Sequence, residues 1–478
     1  MVFSSLTFLF VFLPVFLVFY YISPQQYRNG LLFIGSLIFY AAGEPLYLFL
    51  IFLSVIVNFF IGKKIGKIND EDDFGPPSFQ KKALLIAALI YNFGLLLFFK
   101  YTNFFIENIN AVLSLGKSTF SIGLLNITLP LGISFYTFQI VSYIVDVYYR
   151  RVPSEDSIVN LGAYLCMFPQ LIAGPIVIYS DIRDALKEKS LSIYNLDSGF
   201  KTFILGLGYK VILANRIGTL WNDICTIGFE SISTPLAWLG ALAYSMQLYF
   251  DFNGYSLMAI GLGKMLGFNI PVNFRHPYMA RSVTDFWRRW HITLGAWFKK
   301  YVYIPLGGNR RGKLCTMRNL LVVWFLVGFW HGAAWNFILW GLLIFVLQII
   351  EKNFLLPFLT KDTVVSKCVS HAYMILYILV SWTIFAISDF GQLGIYLARM
   401  FPFFKVGSAL NPQDIIKYVG EYAPLLLLCI VFSTDYPEKL LGKVKNKILG
   451  VGIALCIFWY SVYFLSIGMN NPFLYFRF

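Results

Sequence analysis

Four histidines, His276, His291, His331 and His371, are the side chains here whose ordinary titration lies near neutrality. His331 stands in GFWHGAAWN, inside the apolar run LVVWFLVGFWHGAAWNFILWGLLIFVLQII (residues 321–350), and is the only ionisable group of that run. An imidazole so placed can act as a general base towards a hydroxyl. It can also relay protons in a transporter, or simply bond one helix to another. Gly328, Gly332, Ala333 and Ala334 around it are small, so a substrate or a second backbone can approach closely. The residues alone leave catalysis and packing level. His291 follows Arg288-Arg289-Trp290. That group suits either contact with an anionic donor arriving from the cytoplasm or anchoring among lipid headgroups. His276, in NFRHPY, and His371, after Lys367, read as interfacial.

Other polar residues interrupt apolar runs. YFDFNGY (249–255) carries Asp251 and Asn253. Asp251 can orient a histidine or bind substrate, or it can pair with an arginine such as Arg281 or Arg288. YIPLGGNRRGK (303–313) is a glycine turn with basic residues. It fits lipid headgroups or the nucleotide phosphates of coenzyme A, but it lacks the P-loop pattern. No GxSxG or HExxH occurs, so serine-hydrolase and zincin chemistry have no motif. The six cysteines are scattered without a CxxC pair, which suggests neither a disulfide framework nor a zinc site. No metal ligand set is expected.

These residues need elements to hold them, and composition says which. The chain of 478 residues is 58% hydrophobic and only 13% charged, against about 25% charged in soluble domains. Apolar stretches of roughly twenty residues recur throughout, the signature of transmembrane helices. We therefore expect an all-α polytopic membrane protein, with one membrane-embedded domain over 1–478. The net charge of +14 resides in short loops, as the positive-inside rule requires; no nucleic-acid partner is expected. The N-terminal run reads as a retained first helix rather than a signal peptide. Spans are expected at about 5–21, 30–43, 46–62, 83–99, 130–147, 199–218, 235–250, 254–268, 319–336, 337–350, 371–388, 421–434 and 449–468. Lys63, Lys64, Lys67, Lys81 and Lys82 mark one cytoplasmic loop, and Lys439, Lys443, Lys445 and Lys447 the last, which puts both termini outside. The run 158–178 is flanked by charge on both sides and broken by Pro169 and Gly174-Pro175, so a re-entrant or broken helix is expected there. Segment 281–300, rich in Trp and Arg, should lie at an interface or in a protein-lined half-helix. His331 lies thirteen residues beyond Arg318, or about 20 Å at helical rise, past the middle of a core about 30 Å thick.

Together, LPLGISFYTFQIVSYIVDVYYR (129–150), FPQLIAGPI (168–176), YFDFNGYS (249–256), DFWRRWHITLGAWFKKYVYIPLGGNRRG (285–312), GFWHGAAWNFILWG (328–341) and FLYFRF (473–478) resemble the bacterial membrane-bound O-acyltransferases. The branch they resemble is the alginate O-acetyltransferase type, related to the teichoic-acid D-alanylation protein. The resemblance implies a ring of about 11–13 transmembrane or re-entrant helices around a thinned central channel or funnel. It implies that His331 is catalytic and that His291 lies on the donor side; both are taken as catalytic candidates, and Trp290, Arg288, Arg289, Trp330, Asn253, Asp251, Gln170 and Asn336 are our candidates for acyl-donor or channel residues. It implies no bound cofactor: acetyl-CoA or another acyl thioester, free or on an acyl carrier protein, would be a substrate. The acceptor would be a hydroxyl of an extracytoplasmic polysaccharide or of a partner acetyltransferase, reached from the bacterial cytoplasmic membrane. The chain departs from the family pattern at Ile140, Ile178, Leu257, Lys300 and Ile344. A proton-coupled transporter or flippase, and a relative with altered acyl donor or reduced activity, are the alternatives.

Overall fold

In the computed structural model, residues 1–71, 77–116, 120–189, 191–404, 411, 413–441, 447–468 and 474 are described. Lys443 and Lys445, and the tail motif apart from Leu474, lie outside them. Helices dominate the described structure, and no strand occurs among those residues. Eight helices there are long and apolar enough to cross a membrane: Pro45–Glu71, Phe79–Leu115, Ile193–Ile227, Lys313–His331, Trp335–Leu359, Val364–Ala386, Asp414–Phe432 and Ile448–Ser466. Large apolar side chains stay exposed along them, among them Phe49, Ile90, Leu427 and Trp459, as lipid-facing helices require. This is an all-α polytopic membrane protein.

The chain divides into two compact units: Met1–Phe200 with Ala259–Pro271, and Lys201–Met258 with Val272–Phe478. In the first, Asn58 and Asn92 exchange side-chain hydrogen bonds of 3.0 and 2.8 Å between two spanning helices. Amide pairs of this kind bind helices that lipid cannot drive together. The run 158–178 is broken as its prolines and glycines demand: helices Ile158–Cys166 and Phe168–Leu171 are followed by irregular chain and then by Tyr179–Lys187. Two of its polar groups find protein partners. The Phe168 N–H donates to Ser36 Oγ at 3.0 Å, and Gln170 Nε2 donates to the Tyr164 carbonyl at 2.6 Å.

Several span boundaries differ from the sequence expectation: the starts set at 371 and 421 lie at Val364 and Asp414, and the end set at 62 lies at Glu71. The spans at 235–250 and 254–268 are one helix, Thr234–Met265, with Asp251 and Asn253 inside it. The span at 83–99 belongs to a 37-residue helix, Phe79–Leu115. The break set at 336/337 lies at 332–334 instead, where Gly332 and Ala334 are extended.

Two features of the second unit position the site. The first is the hairpin of Lys313–His331 and Trp335–Ile350. Its helices meet at glycines: a Cβ on Gly328 would lie 2.4 Å from the Phe337 carbonyl oxygen, and one on Gly341 would lie 2.3 Å from that of Trp324. The second is segment 283–298, which is not a span. It forms two short helices, Val283–Arg289 and Ile292–Phe298, hinged at Trp290-His291.

Candidate active site

The hinge exists because His291 takes a left-handed backbone conformation, φ 46°. For a residue with a Cβ this costs about 1–3 kcal/mol and persists only where surroundings enforce it. Here the loop before the segment enforces it. The Ile292 N–H donates to the Asn273 carbonyl at 3.0 Å, and the Arg275 N–H to the Arg289 carbonyl at 2.9 Å. The Asn273 side chain completes the staple: its Oδ1 accepts from the Thr293 N–H (3.2 Å) and the Thr293 hydroxyl (2.9 Å), and lies 3.2 Å from His291 Nδ1. His291 is 1% exposed. Burial in this low-dielectric setting holds its imidazole down at about 3, so the ring is neutral at physiological pH.

His331 ends its helix at the hairpin break and is 3% exposed. Aromatic rings hold it edge to face: Trp330 at 5.0 Å, Trp340 at 5.1 Å and Phe385 at 5.3 Å between centroids. Trp330 also meets His291, at 6.1 Å, so one indole touches both imidazoles. Trp340 is fixed in turn, its Nε1–H donating to Ser381 Oγ at 2.9 Å. Asn336 is wholly buried and donates to the carbonyls of Ile384 and Phe385, both at 3.1 Å. It pins the hairpin to the end of Val364–Ala386, the helix that carries Phe385.

A cavity of about 360 Å³ opens beside His291. Trp287, Trp290, Trp324, Leu294 and Val327 give it apolar walls, and Arg288, Lys299 and Lys352 are its charged lining residues. Its size falls within the range of small-molecule sites. Glu351 stands next to Lys352 but is engaged elsewhere: its carboxylate accepts the N–H groups of Val283 and Thr284, at the start of the first short helix.

The structure thus joins His331, Trp330, His291, Trp290 and Arg288 in one connected cluster. Arg289 is spent on Asp285, at 3.0 Å. Asn253 donates to the Tyr249 hydroxyl at 3.2 Å. Asp251 pairs with neither Arg281 nor Arg288. Its partner is Lys210, at 2.6 Å with both side chains 2% exposed, and its other oxygen accepts the Leu474 N–H at 2.8 Å. Gln170 belongs to the first unit. His276 bonds Glu438 at 3.2 Å and His371 is exposed. Sequence reasoning missed Asn273, Trp340, Phe385 and Lys352. Lys210 was missed as well, although a lone cation in an apolar stretch is a signal comparable to that of His331.

Residues 147–388, which enclose both histidines and the cavity, match the membrane-bound O-acyltransferase family. The chain is 36% identical to the probable alginate O-acetylase AlgI of Pseudomonas putida over the whole of both chains. It is 40% identical to the peptidoglycan O-acetyltransferase of Helicobacter pylori, covering 72% of this chain and 69% of that one. The teichoic acid D-alanyltransferase of Bacillus subtilis is 30% identical over 44% of this chain and 56% of its own. The chain belongs to the membrane-bound O-acyltransferase family. It is an O-acyltransferase and a multi-pass membrane protein, which sets the transporter alternative aside. Members of the family carry out acyl transfer to a hydroxyl, and the clustered histidines are the groups here that suit that chemistry.

Proposed function

We propose that this O-acyltransferase moves an acetyl group from a cytoplasmic thioester to a hydroxyl on an extracytoplasmic polysaccharide, or on a partner protein that completes delivery. The single observation that carries this reading is the pair of buried imidazoles sharing Trp330, one of which lines a cavity with a basic rim. Arg288, Lys299 and Lys352 suit the phosphates of coenzyme A or of a carrier-bound pantetheine arm, and the tryptophan walls suit the arm itself. His331 takes the proton from the acceptor hydroxyl. The oxygen attacks the thioester carbonyl carbon, the C–S bond breaks, and the thiolate leaves with the proton returned from His331. No cofactor is consumed. The relatives named for alginate and peptidoglycan acetylation support a polysaccharide acceptor. The basic loops support a cytoplasmic-membrane setting with both termini outside.

The test replaces His331 by Ala in cells lacking the native copy and measures ester-linked acetate on isolated envelope polysaccharides. Membrane level and monodispersity in detergent are followed in parallel. Loss of acetate by a well-folded variant is the expected result. Unchanged acetate would make His331 a packing residue and remove the mechanism.

A further inference from the structure

The hydrogen bonds around Asn273 fix more than a backbone hinge. A peptide N–H can only donate, so the Asn273 atom facing the Thr293 N–H at 3.2 Å is the carbonyl oxygen Oδ1. The same oxygen faces His291 Nδ1 at 3.2 Å. The ring nitrogen turned towards it must therefore carry the hydrogen. In a neutral imidazole, Nε2 then holds the lone pair. Ser256 Oγ, 3.4 Å from Asn273 Nδ2, is placed to receive the other end of the amide, which sets its orientation.

We infer that Asn273 is a positioning residue that holds His291 in its Nδ1–H tautomer, so that Nε2 meets the acyl donor as a hydrogen-bond acceptor, taking an amide N–H of the thioester's pantetheine-type arm. This rests on the proposed acyl transfer and assigns the donor side of it. A neutral His291 with its only ring hydrogen committed to Asn273 has none to give to a departing thiolate. The thiolate's proton comes instead from His331, which removed it from the acceptor. The two histidines divide the work: His331 moves the proton and His291 orients the thioester. The left-handed backbone of His291 serves the same end, because the hinge it makes sets the ring between Asn273 and the cavity.

The experiment uses the full chain in detergent with ring-¹⁵N histidine. There are four histidines, and His291→Gln identifies the signal of interest. The expected spectrum has Nδ1 protonated and Nε2 bare. Asn273→Ala should lose that preference and raise KM for acetyl-CoA about ten-fold, with kcat falling less. Asn273→Asp keeps an acceptor for both Nδ1 and Thr293, and should retain the tautomer and most of the activity. It also guards against a hinge that fails to fold in the alanine variant. A wild-type ring protonated at Nε2 would overturn the inference. So would an alanine variant with unchanged tautomer and KM, or one losing kcat alone. Failure of the wild type to use any acetyl thioester, with the Nδ1–H tautomer in place, would instead strike the proposed donor and leave the Asn273 assignment standing.

Discussion

Adding one methyl group at Gly341 should damage catalysis more than its size suggests. Its Cβ would lie 2.3 Å from the Trp324 carbonyl oxygen, whereas unstrained non-bonded contacts need about 3.5 Å. The obstacle is helical backbone, which cannot rotate aside, so the two helices must part by about 1 Å. The parting falls where the site is built. His331 lies three residues from Gly328, and Trp340 adjoins Gly341, with 5.1 Å between their ring centroids. Overpacking of this kind costs about 1–3 kcal/mol, and a misplacement of about 1 Å at a reacting group can cost ~100-fold in rate. We expect Gly341→Ala to lower the melting temperature modestly and to reduce thioester turnover by roughly two orders of magnitude. Gly328→Ala should do the same, since its Cβ would meet the Phe337 carbonyl at 2.4 Å. The double variant decides the matter. The Gly328 Cα is only 3.4 Å from the Gly341 Cβ position, so both methyls open one gap, and their costs should fall well short of adding. Turnover is read as free thiol released from acetyl-CoA, and stability by thermal unfolding in detergent. Wild-type turnover in Gly341→Ala, or strict additivity in the double variant, would refute the tight hairpin.

Two further outcomes follow from buried charge. Asp251→Asn or Lys210→Met should each cost about 3–5 kcal/mol, because each strands a buried partner; Lys210→Met with Asp251→Leu should cost far less, and thermal unfolding of the three variants checks the difference. Lowering the pH should destabilise the protein through His291, whose native imidazole, held by burial at about 3 against an ordinary 6.5, stays neutral while the unfolded chain takes up a proton. That stability is whole above pH 6.5 and is lost as pH falls from there towards 3, by up to about 1.4 kcal/mol per unit; His291→Gln should flatten the decline, and an equal slope in both proteins would contradict a neutral buried ring.

Sequence made the membrane class and His331 legible for the same reason. Apolar runs announce spans, and a single ionisable group in such a run is an anomaly that local reading detects. The broken helix at 158–178 was legible because proline and glycine act where they stand. The split of Thr234–Met265 into two spans failed because Asp251 looks like the end of a span. Its charge is matched by Lys210, on another helix, and no local window reports that partner. The hairpin break was misplaced by a few residues because Gly332-Ala333-Ala334 is as apolar as its flanks. Asn273 was illegible in kind. Nothing in NFRHPY distinguishes it until the chain bends back at His291, eighteen residues later, and brings the two side chains to 3.2 Å.

That bend explains why His291 sits on a hinge while His331 sits at the end of a spanning helix. His331 closes a continuous helix: thirteen residues from Arg318 give about 20 Å of rise. The turn at Gly332 then ends the helix just past the ring. His291 lies instead between two short helices. In an unbroken helix the backbone N–H groups of residues 292 and 293 would be committed to intrahelical bonds. The left-handed residue redirects them to Asn273, which then binds backbone, threonine hydroxyl and imidazole through one side chain. The strain at His291 and the orientation of its ring are therefore a single structural event, and Trp330, touching both imidazoles, ties that event to the helix that carries His331.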